Sequence, residues 1–430
     1  MSIVSSKKNG SGILNKVFLY FLFISYLYSI HYRYMPLNST ALIGIVGILV
    51  YISNDYVRSI LFRGHAVRKV LSLYIPVVIV TLISLLANST GDMRFVKWAI
   101  TGVFYFFGGA TIIYLTKKVY GYIDGVKLVD MMIIAAVFQL SLSLIMWAFP
   151  SLSDELFTLL QTSSVNEMIF EKASGMRLIG FGAYFFGSAV IHGFILIMIA
   201  IYYNKVRGTK SLIWMMSFIY IFIIGLMMAR SIIFGAILAL IIFLVRAYKS
   251  KKLLISTSKV VFAVFFALLI SLTLSSSVIN RFQTVIEFGF ELFINERETG
   301  HLRVKSMNSL DNMYIYPDNI KTWVIGDGKW DKSNGGYYKD TDVGVCRMIF
   351  YFGLIGLFAY LIFNIRLLKT ICRRNSWGTL PIIIFLAYIS ILNYKGFTDI
   401  FLLVIPFYFV ETTRMKEAYI IMNSSKQLVS

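Results

Sequence analysis

The chain has 430 residues, 58% of them hydrophobic and 14% charged, with a mean hydropathy of +0.75 and a formal net charge of +20. Soluble chains are about 45–50% apolar and about 25% charged, so these values exclude a cytosolic enzyme, a disordered chain and a secreted disulfide scaffold. They specify an all-α polytopic integral membrane protein.

Apolar runs near the length of a bilayer core occur at about 13–30, 37–52, 70–87, 98–116, 128–148, 178–203, 211–228, 231–246, 259–277, 343–364, 379–394 and 398–412. They predict about twelve transmembrane helices in a single transmembrane domain over 1–430. The first run follows Lys7, Lys8 and Lys16 with no A-x-A cleavage site, and reads as an uncleaved signal anchor. Alternate loops, with the two termini, hold 25 of the 41 basic residues and five of the 21 acidic ones. The remaining residues hold 16 of each sign, so the whole excess lies on one face, which the positive-inside rule makes the cytoplasm. Both termini are then cytoplasmic. Spread over short loops, this charge is a topology signal and gives no reason to expect a nucleic-acid partner.

Two long segments fall on the opposite, extracytoplasmic side, at about 149–177 and 278–342. The second opens with an amphipathic helix at about 281–295. Phe282, Ile286, Gly289 and Phe293 share one face and Glu287, Glu291 and Asn295 the other, so it should lie in the membrane interface. Long loops are commonly functional, and chemistry is expected there.

Several motifs are absent. Cys346 and Cys372 lie near opposite ends of one apolar stretch, and His31, His65, His192 and His301 lack zinc spacing. Gly326-Asp-Gly-Lys-Trp330 is not a phosphate loop of the GxxxxGK[ST] kind. The sequons at Asn38 and Asn88 sit at span edges and read as chance. No internal repeat or pair of broken helices marks an inverted-repeat transporter.

Arg230, in LMMARSIIFG, sits between two apolar runs with almost no loop. A guanidinium there is costly unless it faces a cavity or a partner, or snorkels to headgroups. Its planar fork suits bidentate capture of phosphate oxygens. Arg177, in SGMRLIGFG, re-enters the membrane after the first long loop and has the same two readings. His192 reads as a satisfied core histidine. The large loop contributes His301, Arg303 and Lys305 in ETGHLRVKS. It then supplies Asp327, Tyr337, Tyr338, Asp340 and Asp342 in WVIGDGKWDKSNGGYYKDTDVG. Cations and carboxylates converging on one cavity would suit a substrate carrying a diphosphate and a sugar hydroxyl. The carboxylates are interleaved with cations, so neither a metal nor another cofactor is expected.

The order ARSIIFGA, GHLRVKSMNSL, WVIGDGKW and TDVGVCRMIFYFGLIGLFAYLIF resembles the O-antigen polymerase (Wzy) and O-antigen ligase superfamily of membrane glycosyltransferases. The resemblance covers most of the chain and implies a GT-C-like helical fold in the bacterial inner membrane with periplasmic active loops. By resemblance Arg230, Arg303 and Arg177 match the family's arginines that handle lipid-linked substrates. Lys305 and Tyr338 join them as candidate substrate contacts. Ligases carry a His-Asn pair before the GLIG span; here Thr341-Asp342 stands in its place, which favours a polymerase. Asp342 is then the first candidate for the base, with His301 next, and Arg303 is counted among the catalytic residues. The implied partners are an undecaprenyl-diphosphate-linked donor and acceptor, the bilayer, and a chain-length regulator and flippase of the same pathway. Two alternatives stay open: a ligase that transfers polymer to a lipid core, and, from another class, a polysaccharide flippase.

Overall fold

A computed structural model of the chain describes residues 12–55, 57–58, 65–161, 177–182, 185–248, 280–299, 311–333 and 335–410. Among them the regular structure is helical throughout, relieved by two isolated antiparallel bridges, Tyr32 to Leu160 and Asp331 to Tyr337. In chain order the helices are α1 (Ile13–Tyr28), α2 (Ser39–Ser53), α3 (His65–Leu71), α4 (Ile75–Asn88), α5 (Arg94–Tyr120), α6 (Gly125–Ala148), α7 (Pro150–Thr158) and α8 (Phe185–Tyr202). There follow α9 (Thr209–Met228), α10 (Ile232–Tyr248), α11 (Asn280–Thr299), α12 (Ile320–Ile325), α13 (Gly344–Arg374), α14 (Leu380–Lys395) and α15 (Phe401–Val410).

Six segments are long and apolar enough to cross a bilayer: Val67–Asn88, Arg94–Tyr120, Gly125–Ala148, Phe185–Lys205, Thr209–Met228 and Gly344–Arg374. The apolar helices α1, α2, α10, α14 and α15 are shorter than the roughly 20 residues a bilayer core asks for. The expected span at 259–277 lies outside the described residues. Leu86, Ile83 and Ile79 of α4 and Ile355, Phe358 and Ile362 of α13 point outward, uncovered by protein. An apolar belt of this kind marks a lipid-facing surface. The innermost helix is α8, buried on every side from Ser188 to Tyr202, as an all-round apolar helix must be. It crosses α10 so closely that a Cβ added at Gly235 would meet Gly193 Cα at 2.3 Å. Small residues at such crossings let helix backbones approach this closely. His192 takes the core role expected of it, its Nε2 2.9 Å from Tyr28 Oη.

The loops sort into two groups. At one end of the bundle Arg33 N donates to Leu159 O at 2.8 Å, Leu178 N to Met227 O at 3.0 Å and Trp330 N to Asp92 Oδ2 at 2.7 Å. At the other, Lys210 pairs with Asp130 at 2.5 Å and Trp377 Nε1 donates to Tyr202 Oη at 3.0 Å. The segments expected on the extracytoplasmic side therefore meet at one end, called the loop end below. Both sequons carry structural bonds. Asn38 caps α2 through Ala41 N at 2.9 Å, and Asn88 Nδ2 donates to Gly326 O at 2.9 Å.

The expected tenth span departs most from its reading. Its helix runs on to Arg374 and is broken at Gly353, where φ is 67° and ψ −169°. A break frees carbonyls that cost several kcal/mol each in lipid if left bare. Here Phe350 O accepts from Asp327 N at 2.6 Å, and Tyr351 O from Gly328 N at 3.0 Å and Ser84 Oγ at 2.7 Å. The short helix α12 fills the bend, since a Cβ at Gly353 would stand 2.2 Å from Val324 O. The Gly-Asp-Gly segment is thus a splint for a discontinuous helix. Gly344–Phe352 belongs to the loop end, and the stretch from Leu354 to Arg374 has bilayer length. Among the described residues the break is packed by α12 and by the donors from Asp327, Gly328 and Ser84.

Candidate anion site at the loop end

Arg230 lies in the three-residue gap between α9 and α10, where the chain leaves helical geometry at Ala229. Its guanidinium pairs with Glu291 of α11 and lies over the Phe288 ring, 4.4 Å from the centroid. The two charged side chains are 17% and 19% exposed, so this is a largely desolvated pair and not a headgroup anchor. α11 is helical over the expected stretch, with Gly289 of its expected apolar face buried and Glu287 of its polar face exposed, while Glu291 of that polar face meets protein. Val285, Gly289 and Phe290 are buried, Gly289 sits against Met227 N and Leu226 O, and Glu291 turns into the protein. The helix docks on the end of α9, with its acidic face partly spent on Arg230.

Arg177 is brought in by the bond from Leu178 N to Met227 O. Its guanidinium stacks on Phe185 at 3.6 Å and reaches Phe288 at 5.5 Å, so one ring serves two arginines from different loops. Burial, and then the neighbouring Arg230, push the Arg177 pKa down to about 10. The group still carries its charge at neutral pH. The shift reports how crowded the positive charge is. Lys395, the last residue of α14, completes the group. Its Nζ donates to Ser231 Oγ at 3.0 Å, and its charge interacts with Arg230, Arg177 and Asp342.

Asp342 stands just before α13 with its side chain 41% exposed. One carboxylate oxygen is 3.7 Å from Arg347 Nη1, and the Tyr337 hydroxyl acts on the same carboxylate. Burial raises its pKa above the usual carboxylate value, while Arg347, the Tyr337 hydroxyl and Lys395 pull the other way. Arg347 itself is 7% exposed. It donates to Asp331 at 2.6 Å and to Trp330 O at 3.0 Å, between the Trp330 ring at 4.2 Å and the Tyr337 ring at 4.6 Å. Trp330 is held by Phe95, Tyr351 and Phe397, so the carboxylate is backed by a rigid aromatic wall.

Of the residues singled out in the sequence, Arg177, Arg230 and Asp342 are thus brought into one electrostatic neighbourhood. His301, Arg303 and Lys305 lie outside the described residues. Tyr338 faces elsewhere. Its hydroxyl donates to Asp327 Oδ2 at 3.2 Å and its ring meets Phe350, so it braces the splint together with Thr322. Lys395, Arg347 and Glu291 were not among the candidates. Arg347 carried a usable signal, a charge inside the apolar run at 343–364, which is expensive unless partnered. Lys395 looked like any boundary lysine at the end of a span.

The arrangement can do two things. Among the described residues three cations, Arg177, Arg230 and Lys395, act on one another beside Glu291 and Asp342. At an effective dielectric constant of about 20 each close like-charge pair costs on the order of 2–4 kcal/mol, a cost that a multivalent anion would remove. Beside them a braced carboxylate, half open to solvent, can accept a proton. Compared with known proteins, the chain matches no family model, no curated protein and no solved structure.

Proposed function

We propose that the chain is a bacterial inner-membrane glycosyltransferase that polymerises polyprenyl-diphosphate-linked repeat units into an O-antigen or related surface polysaccharide. The observation that carries this reading is the meeting of Arg177 and Arg230 over Phe288, with Asp342 held in reach of the same charge cluster. A diphosphate calls for several fixed cations, and the sugar bonded to it calls for a base beside them.

In this reading the loop end is extracytoplasmic, both termini are cytoplasmic, and the shorter apolar helices and the 259–277 run complete about twelve spans. The hydroxyl oxygen of the acceptor repeat unit attacks the anomeric carbon of the donor chain. The bond from that carbon to the diphosphate oxygen breaks, and its electron pair leaves with the polyprenyl diphosphate. The hydroxyl proton passes to the Asp342 carboxylate. Arg177 and Arg230 stabilise the charge that grows on the leaving group. A carboxylate whose burial raises its proton affinity is the better base. Arg303, His301 and Lys305 join this site by the resemblance alone. Thr341, which stands where a ligase carries histidine, is fully buried and donates to Met313 O at 2.6 Å. Its hydroxyl is committed to structure, which supports polymerase over ligase.

The test is a reconstitution of the purified protein in nanodiscs with a lipid-diphosphate-linked repeat unit, without nucleotide sugar and with EDTA. A ladder of lipid-linked oligomers is expected. Folded protein that makes no ladder would overturn the reading, and transfer only to an added lipid-core acceptor would replace it with the ligase.

A further inference from the structure

We infer that Lys395 is the third cation of the diphosphate site and the residue that discriminates a diphosphate from a monophosphate; this rests on the reading above. Arg177 and Arg230 approach Phe288 from two loops, and each has its own aromatic or carboxylate contact. Lys395 comes from a third element, the end of α14, and among the described residues its ammonium donates to one group, the neutral hydroxyl of Ser231. An ammonium has three donors. It acts electrostatically on Arg230 and Arg177 on one side and on Asp342 on the other.

Its backbone is fixed as firmly as a side chain of this length allows. Asn393 Nδ2 donates to Thr398 O at 3.0 Å and Thr398 N to Asn393 Oδ1 at 2.9 Å, stitching the turn after α14. Gly344, at the start of α13, sits so close that a Cβ there would be 2.6 Å from Phe397 N. The turn that carries Lys395 is therefore packed on the helix start that follows Asp342. Held to Ser231, the neighbour of Arg230, and carried on the turn packed against the start of α13, this flexible point charge takes one role in the proposed site. It reaches the phosphate nearer the sugar, while the arginines hold the phosphate nearer the prenyl chain.

The experiment measures binding of undecaprenyl diphosphate and undecaprenyl monophosphate to the full chain in nanodiscs. It compares the unmodified protein with Lys395→Gln, Lys395→Arg and Ser231→Ala, each checked for folding by its thermal transition. The unmodified protein should prefer the diphosphate lipid. Lys395→Gln should weaken diphosphate binding about tenfold or more while leaving the monophosphate within about twofold, as expected for one lost charge-assisted contact. Lys395→Arg should restore most of the preference, and Ser231→Ala should reduce it by a few-fold. If the unmodified protein prefers the diphosphate and Lys395→Gln prefers it equally, the role of Lys395 is overturned and the polymerase reading stands. If the unmodified protein binds neither lipid, the polymerase reading falls and takes this inference with it. Should Lys395→Gln not fold, Ser231→Ala and Lys395→Arg decide: an unchanged preference in the former together with its loss in the latter overturns the proposal.

Discussion

The two ends of the helix bundle carry similar cations and treat them differently. At the end opposite the loops several described cations are anchored separately, each on groups that no other of these cations uses. Lys210 pairs with Asp130, which Trp214 also binds. Arg246 donates to the carbonyls of Ala200 and Ile201 near the end of α8, where a cation also suits the helix dipole. Lys127 lies 3.6 Å over the Tyr120 ring. At the loop end Arg177 and Arg230 instead share one phenyl ring, and Lys395 adds a third charge. Cations that are satisfied one by one hold a membrane protein at its boundary. Cations pressed together, at a cost to the fold, point to a ligand that relieves the cost.

That contrast can be broken by experiment. The largest effect is expected from Arg230→Ala, which should lower polymer formation by about a hundredfold or more, as for loss of a donor at a developing charge. Membrane insertion should stay intact by fractionation; normal polymer would return Arg230 to the class of boundary anchors. Asp342→Asn should cost on the order of 10²–10⁴ in turnover with binding of the diphosphate lipid retained. For the unmodified protein the base must be ionised, so turnover should fall as pH drops through the Asp342 pKa. Burial places that inflection above the ordinary carboxylate value near 3.9. Arg347, Tyr337 and Lys395 face the same carboxylate and lower it, so Lys395→Gln should move the inflection upward. An inflection that stays put in Lys395→Gln would separate Lys395 from Asp342.

Smaller effects sharpen the same comparison. Gly353→Ala must accept a positive φ and displace Val324, and should destabilise by on the order of 2 kcal/mol or more, read as a lower thermal transition with weakened turnover. Glu291→Gln should release Arg230 and tighten diphosphate binding a few-fold, measured by lipid titration. Lys210→Ala, with the lysine side chain 44% exposed, should change stability by less than about 1 kcal/mol and leave polymer formation unchanged.

The helical class and the positions of the apolar runs were legible because a bilayer imposes a length and a composition that few other structures share. Arg230 and Arg177 were legible for the reason that makes them costly, a full charge beside apolar runs. What stayed hidden depends on neighbours that no local pattern names. A helical wheel put Glu291 on an outward face, and the side it turns to was decided by α9, some sixty positions upstream. The break in α13 escaped notice because a glycine in an apolar run is equally consistent with packing and with a bend. Only the donors on Asp327, Gly328 and Ser84 show which it is. Tyr338 looked like a sugar contact because it is a loop tyrosine, and Asp327, eleven residues earlier, claims its hydroxyl.

The splint at Gly353 has a mechanical consequence. Arg347 lies on the half-helix Gly344–Phe352 and Asp342 just before it; the half-helix is fastened to α4 through Ser84 and to the Asp92 turn through Tyr351, and Arg347 binds Trp330, which Asp92 also holds. The depth of the Asp342 carboxylate is therefore gauged against another protein segment and not against the lipid surface. Thinning or thickening the bilayer tilts whole helices, yet the distance from Asp342 to its neighbours is clamped at the splint. Turnover in nanodiscs of short-, medium- and long-chain lipids should accordingly stay nearly level, and cutting the clamp with Ser84→Ala should make it rise and fall with acyl length.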